Sequence, residues 1–261
     1  MSDTPHVTVQ RLPGHIALVT INRPDARNAV SPEVARGLEA AIDETDADVD
    51  VWVVILTGTG AEAFCAGADL KAISAGRGSE LRTARGGFAG FVHAKKMKPW
   101  IAAVNGAAFA GGCELVLACD LVVAAPQARF ALPEVKRGLI ASAGGLYRLP
   151  RALPPAVAQE MILTGDPIGA ERAHALGMVN LLAPSAEGLL EAATALAARI
   201  TVNAPIAVRE SLSVARQAFD LTDAELARLS DEGQARNMQS DDFKEGPRAF
   251  IEKRAPRWQG R

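Results

Sequence analysis

Three short apolar runs constrain this chain more than any other feature: VWVVIL over 51–56, WIAAV over 100–104 and LVVAA over 121–125. None contains a polar residue that could alternate toward water, which is typical of strands buried on both faces of a parallel sheet. Helix-length segments separate the runs, and Ser31-Pro32-Glu33 has the pattern of a helix start. We therefore predict an α/β fold for the first two thirds of the chain.

Flanking segments complete this outline. The segment 15–22 (HIALVTIN) is predicted to be a strand that pairs with 7–12 through a turn at Pro13-Gly14. Beyond about residue 154, helices dominate the prediction. They cover 155–163, 170–176, 186–200, 205–218 and 222–238, with one strand at 179–182. The sequence thus predicts an α/β core followed by a helical region that packs on the core or on a partner subunit.

Composition excludes several classes of protein. The 261 residues are 49% hydrophobic but only 5% aromatic, with 50 alanines and 23 glycines. This balance excludes a disordered chain, a collagen-like repeat and a disulfide scaffold, and it predicts a core built from small side chains. A net charge of −2 gives no general surplus for binding nucleic acid, so we expect no nucleic-acid partner.

Location and metal content are predicted from the same sequence. The amino terminus shows no signal peptide, and the apolar stretch 100–125 contains Asn105, Glu114 and Asp120, which disfavours a membrane span. The three cysteines form no C-x-x-C pair, and the four histidines show no metal-ligand spacing. We expect a cytoplasmic protein with no membrane partner and no metal.

A dinucleotide-binding interpretation has one motif in its favour. The residues 58–63 (GTGAEA) fit G-x-G-x-x-A directly after a predicted strand. The following residues lack the helix and the second strand ending in an acid that complete this fingerprint. The motif is therefore a weak indication.

Two turns of small residues are more informative. They lie in FCAGADLK (64–71) and NGAAFAGGCEL (105–115), and each follows a predicted buried strand and precedes a predicted helix. Such turns expose backbone N–H groups at a helix N-terminus, where they can hold negative charge on an oxygen. Two turns that face one point would form an oxyanion hole.

Glu114 and Glu134 stand in apolar surroundings near these turns. Taken singly, Glu114 is explained by the helix dipole and Glu134 by a surface loop. Together with the two amide turns they favour catalysis, because a thioester enolate needs N–H donors for its oxygen and carboxylates to move protons at the neighbouring carbons.

At these residues the sequence resembles the crotonase family of acyl-CoA enzymes, the enoyl-CoA hydratases and isomerases. The matching segments run nearly end to end: HIALVTINRPDARNA, FCAGADLK, AAVNGAAFAGGCELVLACD, FALPEVKRGLIASAGG, LTGDPI, ALGMVN and FIEKRAP. The resemblance implies an α/β fold, a crotonase-like spiral of ββα units with a C-terminal helical trimerisation region. We place the spiral core in 1–195 and the helical region in 196–261, and we expect a homotrimer or homohexamer.

The resemblance also implies roles for individual residues. Ala68 and Gly111 would supply the two N–H groups of the oxyanion hole, and Glu114 and Glu134 match the two catalytic acids of the hydratases. Further substrate-binding positions on the coenzyme A side are Ala66, Asp69, Leu70 and Lys71. Coenzyme A would be part of the acyl-CoA thioester substrate, so no separate cofactor is expected.

The possession of both glutamates favours an enoyl-CoA hydratase that adds water syn to a trans-2-enoyl-CoA and gives a 3-hydroxyacyl-CoA in fatty-acid or related degradation. An isomerase of 3-enoyl-CoA using Glu134 alone, or a non-catalytic acyl-CoA-binding subunit, is the alternative. Two departures from the family pattern stand out: Ala141-Ser142 replaces a common Pro-Gly, and Ala110 replaces a common glycine. Residues 72–97 show no pattern that predicts the acyl group.

Overall fold

The apolar runs lie at the centre of a six-stranded sheet in the computed structural model, which describes residues 5–261. The strands, in chain order, are β1 Val7–Leu12, β2 Ile16–Ile21, β3 Val53–Gly58, β4 Ala63–Cys65, β5 Arg82–Thr83, β6 Gly87–Phe88, β7 Trp100–Val104, β8 Ala107–Phe109, β9 Leu121–Ala124, β10 Arg129–Ala131, β11 Ile168–Gly169 and β12 Leu181–Leu182. The predicted strands are all confirmed, with ends that differ by a few residues.

The helices confirm the predicted alternation and the helical last third. They are α1 Pro32–Ala47, α2 Leu70–Ser74, α3 Gly111–Leu117, α4 Gly145–Ala152, α5 Pro155–Thr164, α6 Ala170–Ala175, α7 Leu189–Thr201, α8 Pro205–Ala215, α9 Asp223–Met238 and α10 Asp241–Ile251. The helix start at Ser31 is confirmed, because its hydroxyl caps α1 by accepting from the N–H of Val34 at 3.3 Å.

The main sheet has the order β1-β2-β3-β7-β9-β12. Only the β1–β2 pair is antiparallel, joined by the turn at Pro13-Gly14, and every later pair is parallel. Strands β3 and β7 are buried along almost their whole length. This explains why the runs lack the alternation of a half-exposed strand.

A second sheet consists of four short strands in the order β11-β10-β8-β4. After β3, β7 and β9 the chain adds β4, β8 and β10 in turn, and a helix closes each unit. The structure therefore confirms the repeated ββα units. The strands of this sheet have two or three residues each, too few for a periodic pattern in the sequence.

The two faces of the main sheet are covered differently. One face packs against α1 and the second sheet, with Leu38 and Leu56 among its buried side chains. The other face packs against α7, where Ala193 and Ala197 meet Ile55 and Ile101. Small side chains on α7 allow this close approach of helix and sheet. The division into 1–195 and 196–261 stays a prediction, and its boundary falls inside α7.

A half-buried ion pair ties the end of α8 to the core. The guanidinium of Arg216, just after α8, donates to both carboxylate oxygens of Asp120, each at 2.7 Å. Asp120 also accepts from the N–H of Trp100 at 2.8 Å, which explains its place after the apolar helix α3. Helix α10 was not predicted; Ser240 caps it by accepting from the N–H of Phe243 at 3.1 Å. Within residues 5–261, no helix is both long enough and apolar enough to cross a membrane.

Candidate active site

The first amide turn is shaped by a single parallel bridge between Val30 and Ala68. Val30 donates to the carbonyl of Gly67 at 2.8 Å, and Asp69 donates to the carbonyl of Val30 at 2.9 Å. A parallel bridge uses the groups on either side of its central residue, so the N–H of Ala68 points away from Val30. Within residues 5–261 that N–H has no hydrogen-bond acceptor. It is free to bind a ligand oxygen.

The second turn lies at Ala110 and opens α3. Ala110 has φ 52° and ψ −128°, an uncommon backbone conformation for a residue with a side chain. Its own N–H donates to the carbonyl of Ala131 at 3.0 Å, which holds the turn in place. The N–H of Gly111 is the first of α3 and has no acceptor within the described chain. The common glycine that Ala110 replaces is thus dispensable here, and the Gly111 amide remains available.

The two turns touch each other. A Cβ added to Gly67, at φ +93°, would lie 2.9 Å from Cβ of Ala110 and 3.2 Å from N of Gly111. A Cβ on Gly112 would lie only 1.9 Å from the carbonyl oxygen of Cys65. Glycine is therefore favoured at Gly67, where φ is positive and Ala110 lies close, and required at Gly112, where a backbone carbonyl oxygen leaves no room for a side chain. The structure brings the free N–H groups of Ala68 and Gly111 onto adjacent turns, as an oxyanion hole requires.

Glu114 lies in the first turn of α3 and is almost fully buried, with 3% of its surface exposed. Its Oε1 accepts a hydrogen bond from the N–H of Gly145 at 3.0 Å. Burial raises the pKa of Glu114, while the N–H groups of Gly145 and Ala143 and the charge of Arg148 act to lower it. The bond to Gly145 exists although Ala141-Ser142 replaces Pro-Gly, so this departure leaves the Glu114 contact intact.

Glu134 lies in a short 3-10 helix, Pro133–Arg137, and is half-buried. Its Oε2 is buried without a hydrogen-bond partner among residues 5–261. Burial raises the pKa of Glu134 to about 7, and the nearby negative charge of Glu114 acts in the same direction. A carboxyl group with this pKa is protonated in a substantial fraction of molecules at neutral pH.

Cys113 shows that the two acids share one part of the molecule. Its thiol is fully buried, and burial raises its pKa. The charges of Glu114 and Glu134 both raise this pKa further. The segments that carry the two acids are in contact: Ala110 donates to the carbonyl of Ala131 at 3.0 Å, and a Cβ on Gly145, the residue that donates to Glu114, would lie 2.9 Å from Cδ1 of Leu132. The structure therefore brings together the two acids that stand twenty residues apart in the sequence.

The residues predicted for the coenzyme A side surround the start of α2. Asp69 caps that helix by accepting from the N–H of Lys71 at 2.9 Å, and it pairs with Arg23 at 2.9 Å. Leu70 and Lys71 are exposed, and Ala66 is half-buried. Asp69 thus already has partners that fix its position, while Lys71 presents a cation to solvent. Binding of coenzyme A by these four residues stays a prediction.

Several functional candidates were missed by the sequence analysis. The positive charges of Arg82 and Arg148 act on Glu114, and His93 and Tyr147 are joined by a hydrogen bond of 3.2 Å near them. The only available signal was the position of Arg148, three residues after Gly145 on α4. Arg82 and His93 fall in the segment 72–97 that had no readable pattern. In residues 5–261, no group of three His, Cys, Asp or Glu side chains is arranged to hold a metal ion.

Comparison with solved structures places this fold in the crotonase class. The structure of an enoyl-CoA hydratase from Mycobacterium tuberculosis matches with a TM-score of 0.93 and 46% identity, covering 99% of this chain and 100% of that one. A carnitinyl-CoA hydratase from Mycobacterium avium matches with a TM-score of 0.77 and 47% identity, again over 99% and 100%.

Sequence comparison agrees over the whole length. A carnitinyl-CoA dehydratase from Salmonella typhi is 40% identical over 266 aligned positions, covering 100% of both chains. The family model described as enoyl-CoA hydratase/isomerase matches residues 11–261. The chain belongs to the enoyl-CoA hydratase/isomerase family, the crotonases, as the motifs indicated.

Proposed function

We propose that this protein is a hydro-lyase that adds water syn across the double bond of a trans-2-enoyl-CoA to give a 3-hydroxyacyl-CoA, or removes it in reverse. The observation that carries this proposal is the pair of carboxyl groups, Glu114, which is buried, and Glu134, whose Oε2 is buried without a partner among residues 5–261, on segments that contact each other. Burial raises the pKa of both. They lie in the same part of the fold as two amide turns whose N–H groups have no acceptor in the described chain.

The amide turns would bind the thioester carbonyl oxygen. When a nucleophile attacks the β-carbon, the electrons of the double bond move toward this oxygen and form an enolate. The N–H groups of Ala68 and Gly111 would donate to it, and the N-terminus of α3 adds a favourable field. Removing one donor of such a pair typically costs about 3–4 kcal/mol of transition-state stabilisation.

The two carboxyl groups would move the protons. Glu114 takes a proton from the attacking water, whose oxygen forms the bond to the β-carbon. Glu134, in its protonated form, gives its proton to the α-carbon, which completes the addition of one water molecule. A raised pKa suits both roles, since it makes Glu114 a stronger base and keeps Glu134 partly protonated at neutral pH.

The named relatives support a hydro-lyase class rather than one substrate. They are called carnitinyl-CoA dehydratase, carnitinyl-CoA hydratase and enoyl-CoA hydratase, names that describe water removal and water addition on CoA thioesters. The alternatives receive less support. An isomerase would need Glu134 alone, and a non-catalytic binding subunit would need neither acid, so neither alternative accounts for the second buried carboxyl group, that of Glu114.

Three wider expectations complete the proposal. The substrate is an acyl-CoA thioester with no additional cofactor, and the reaction belongs to fatty-acid or related acyl-CoA degradation in the cytoplasm. The assembly is a homotrimer or homohexamer. Exposed apolar side chains of Leu139, Ile140 and Tyr147, beside the site, favour association with further subunits.

The test follows the loss of the enoyl-thioester absorbance with short, long and branched trans-2-enoyl-CoAs, with identification of the 3-hydroxyacyl product. We expect Glu114→Gln and Glu134→Gln each to slow hydration by about 10²–10⁴. Glu62→Gln is a matched control, because this exposed acid forms only a loose pair with Arg27 at 3.5 Å. Near-normal hydration by either catalytic variant, or no hydration of any thioester by the wild type, would overturn the proposal.

A further inference from the structure

The side chain of Arg148 folds back over the first turn of α4. A Cβ placed on Gly144 would lie 2.5 Å from Nη1 of Arg148 and 3.2 Å from its Cζ. The backbone N–H of Arg148 also donates to the carbonyl of Gly144 at 2.9 Å. The guanidinium therefore fills the space that a side chain on Gly144 would need. It is in direct contact with the residue before Gly145, whose N–H binds Glu114.

The same guanidinium joins α4 to a distant segment, residues 86–93. Its Nη2 donates to the carbonyl of Val92 at 2.6 Å, while Nη1 is buried and has no partner among residues 5–261. A second hydrogen bond, of 3.2 Å, joins the neighbouring residues Tyr147 and His93. Because the donors of a guanidinium are fixed in a planar fork, the bond to Val92 also restricts where Arg148 lies over α4.

Segment 86–93 also contacts the oxyanion turn. The Phe88 ring lies against Gly111, where an added Cβ would be 2.3 Å from Cε1 of the ring. Within the segment, the N–H of Val92 donates to the carbonyl of Phe88 at 3.3 Å, so these two residues are held in one tight turn. The contacts thus run in a closed ring from α3 to α4, from α4 to segment 86–93, and from that segment back to α3.

The bond from Arg148 to Val92 closes this ring. Resting on the proposed function, we infer that Arg148 is a positioning residue, which fixes the first turn of α4 and so keeps the N–H of Gly145 on Glu114. Without the guanidinium, Gly145 can move relative to α3, and the Glu114 carboxylate loses its orientation toward the attacking water. Misplacement of a reacting group by about 1 Å can cost about 10²-fold in rate. Arg148 itself touches no reacting atom in this role.

The first experiment measures hydration by Arg148→Met on the enoyl-CoA thioester that the wild type hydrates fastest. We expect kcat per folded molecule to fall about tenfold or more while KM changes less than about twofold, because Glu114 acts on the water only in the transition state. Arg151→Met is the matched control, since Arg151 lies on the same helix and pairs with Asp220 at 2.6 Å at the surface. A folded Arg148→Met protein with the kcat of the wild type, or with a loss confined to KM, would overturn the inference.

A double variant separates positioning from a general loss of structure. If Arg148 acts through Glu114, its removal from the Glu114→Gln protein leaves no further base to misplace, and kcat should fall by less than about twofold. A merely structural role would lower kcat by the same factor in both backgrounds. That outcome would reject the inference.

The charge of Arg148 offers a different explanation, because it acts at a distance to lower the pKa of Glu114. Arg148→Lys keeps the charge but lacks the fork that binds Val92 and covers Gly144. We expect its kcat to fall by about threefold or more, whereas full activity would show that charge rather than placement matters and would overturn the inference. This variant keeps most of the side chain, so it serves the same test if Arg148→Met does not fold.

Failure of the proposed function has a different signature. If the wild type hydrates no thioester, the hydro-lyase proposal is wrong, while hydrogen exchange of the Gly145 amide still reports on its bond to Glu114. We expect that amide to exchange about tenfold faster in Arg148→Met and at the wild-type rate in Arg151→Met. Equal exchange in Arg148→Met and the wild type would overturn the inference even if hydration is observed.

Discussion

The N–H of Gly145 donates to Oε1 of Glu114 at 3.0 Å and so joins the N-terminus of α4 to the first turn of α3. This bond fixes one oxygen of the carboxylate and leaves the other for water. It also joins two residues that are thirty-one positions apart in the sequence. The position of Glu114, the proposed base, therefore depends on how α4 packs against α3.

Replacing Glu114 by Gln should separate stability from catalysis. The amide keeps the size of the side chain and its carbonyl can accept from Gly145, while the burial of a charge is removed. We expect hydration to fall by about 10²–10⁴ with no loss of thermal stability. Rates and the midpoint of thermal unfolding check this, and a strong loss of stability would show that the charge itself holds the fold.

The activity should decrease at alkaline pH because Glu134 loses its proton. Its raised pKa of about 7 means that the protonated form, which gives the proton to the α-carbon, disappears as the pH rises through this value. A profile of kcat/KM against pH should therefore decline above about pH 7. Glu114→Gln removes a negative charge that raises this pKa, so the residual activity should decline at lower pH. If the pH at which activity declines is the same in Glu114→Gln as in the wild type, the two acids are not coupled.

The same group should affect stability with a defined sign. Because the pKa of Glu134 in the folded chain, about 7, lies above the ordinary glutamate value of about 4.5, the folded chain binds the proton more tightly than the unfolded chain. Its stabilising contribution is complete below about pH 4.5 and is lost as the pH rises toward 7. Glu134→Gln should flatten the change in unfolding free energy over this window, as chemical denaturation at several pH values can measure.

Contact between the two amide turns should make Gly112 intolerant of a side chain. Gly112→Ala would place a methyl 1.9 Å from the carbonyl oxygen of Cys65 and force the turns apart. We expect a loss of about 1–3 kcal/mol of unfolding free energy and a strong loss of activity. Gly169→Ala is the control, because a Cβ there meets no atom within 4 Å. Equal effects of both substitutions would contradict the close contact.

The Asp120–Arg216 pair should stabilise the attachment of the last helices. Its side chains are only 12% and 28% exposed, so breaking it leaves a partly buried charge. We expect Asp120→Asn to cost about 1–3 kcal/mol of unfolding free energy. The exposed pair of Arg228 and Glu232 on α9 should contribute about 0.3–0.5 kcal/mol. Double-mutant cycles on both pairs give the comparison, and equal coupling energies would count against a special role for Asp120.

The elements with a strong local signal were predictable from sequence. The apolar runs identified β3, β7 and β9, and Ser31 marked the start of α1. The small-residue turns and the two glutamates were also singled out, because turn chemistry and an acid in an apolar segment are visible without the fold.

What the sequence analysis missed depends on contacts between distant segments. The strands of the second sheet are too short for periodicity and exist because β4, β8 and β10 lie side by side. Arg148 lies thirty-four residues after Glu114 in the sequence, and Arg82 lies thirty-two residues before Glu114. The positive charges of Arg82 and Arg148 act on Glu114 only because α4 and the segment 82–93 pack beside α3. No local sequence pattern predicts that packing.

Helix α7 has a practical consequence for any shortened form of the protein. It covers the face of the main sheet that contains Ile55 and Ile101. A truncated chain ending before Leu189 would leave that apolar face open to water, and such exposed sheets self-associate. Fragments that stop there should be recovered as insoluble aggregates, whereas a fragment that extends through Thr201 keeps the sheet covered. The minimal expressible unit therefore includes α7.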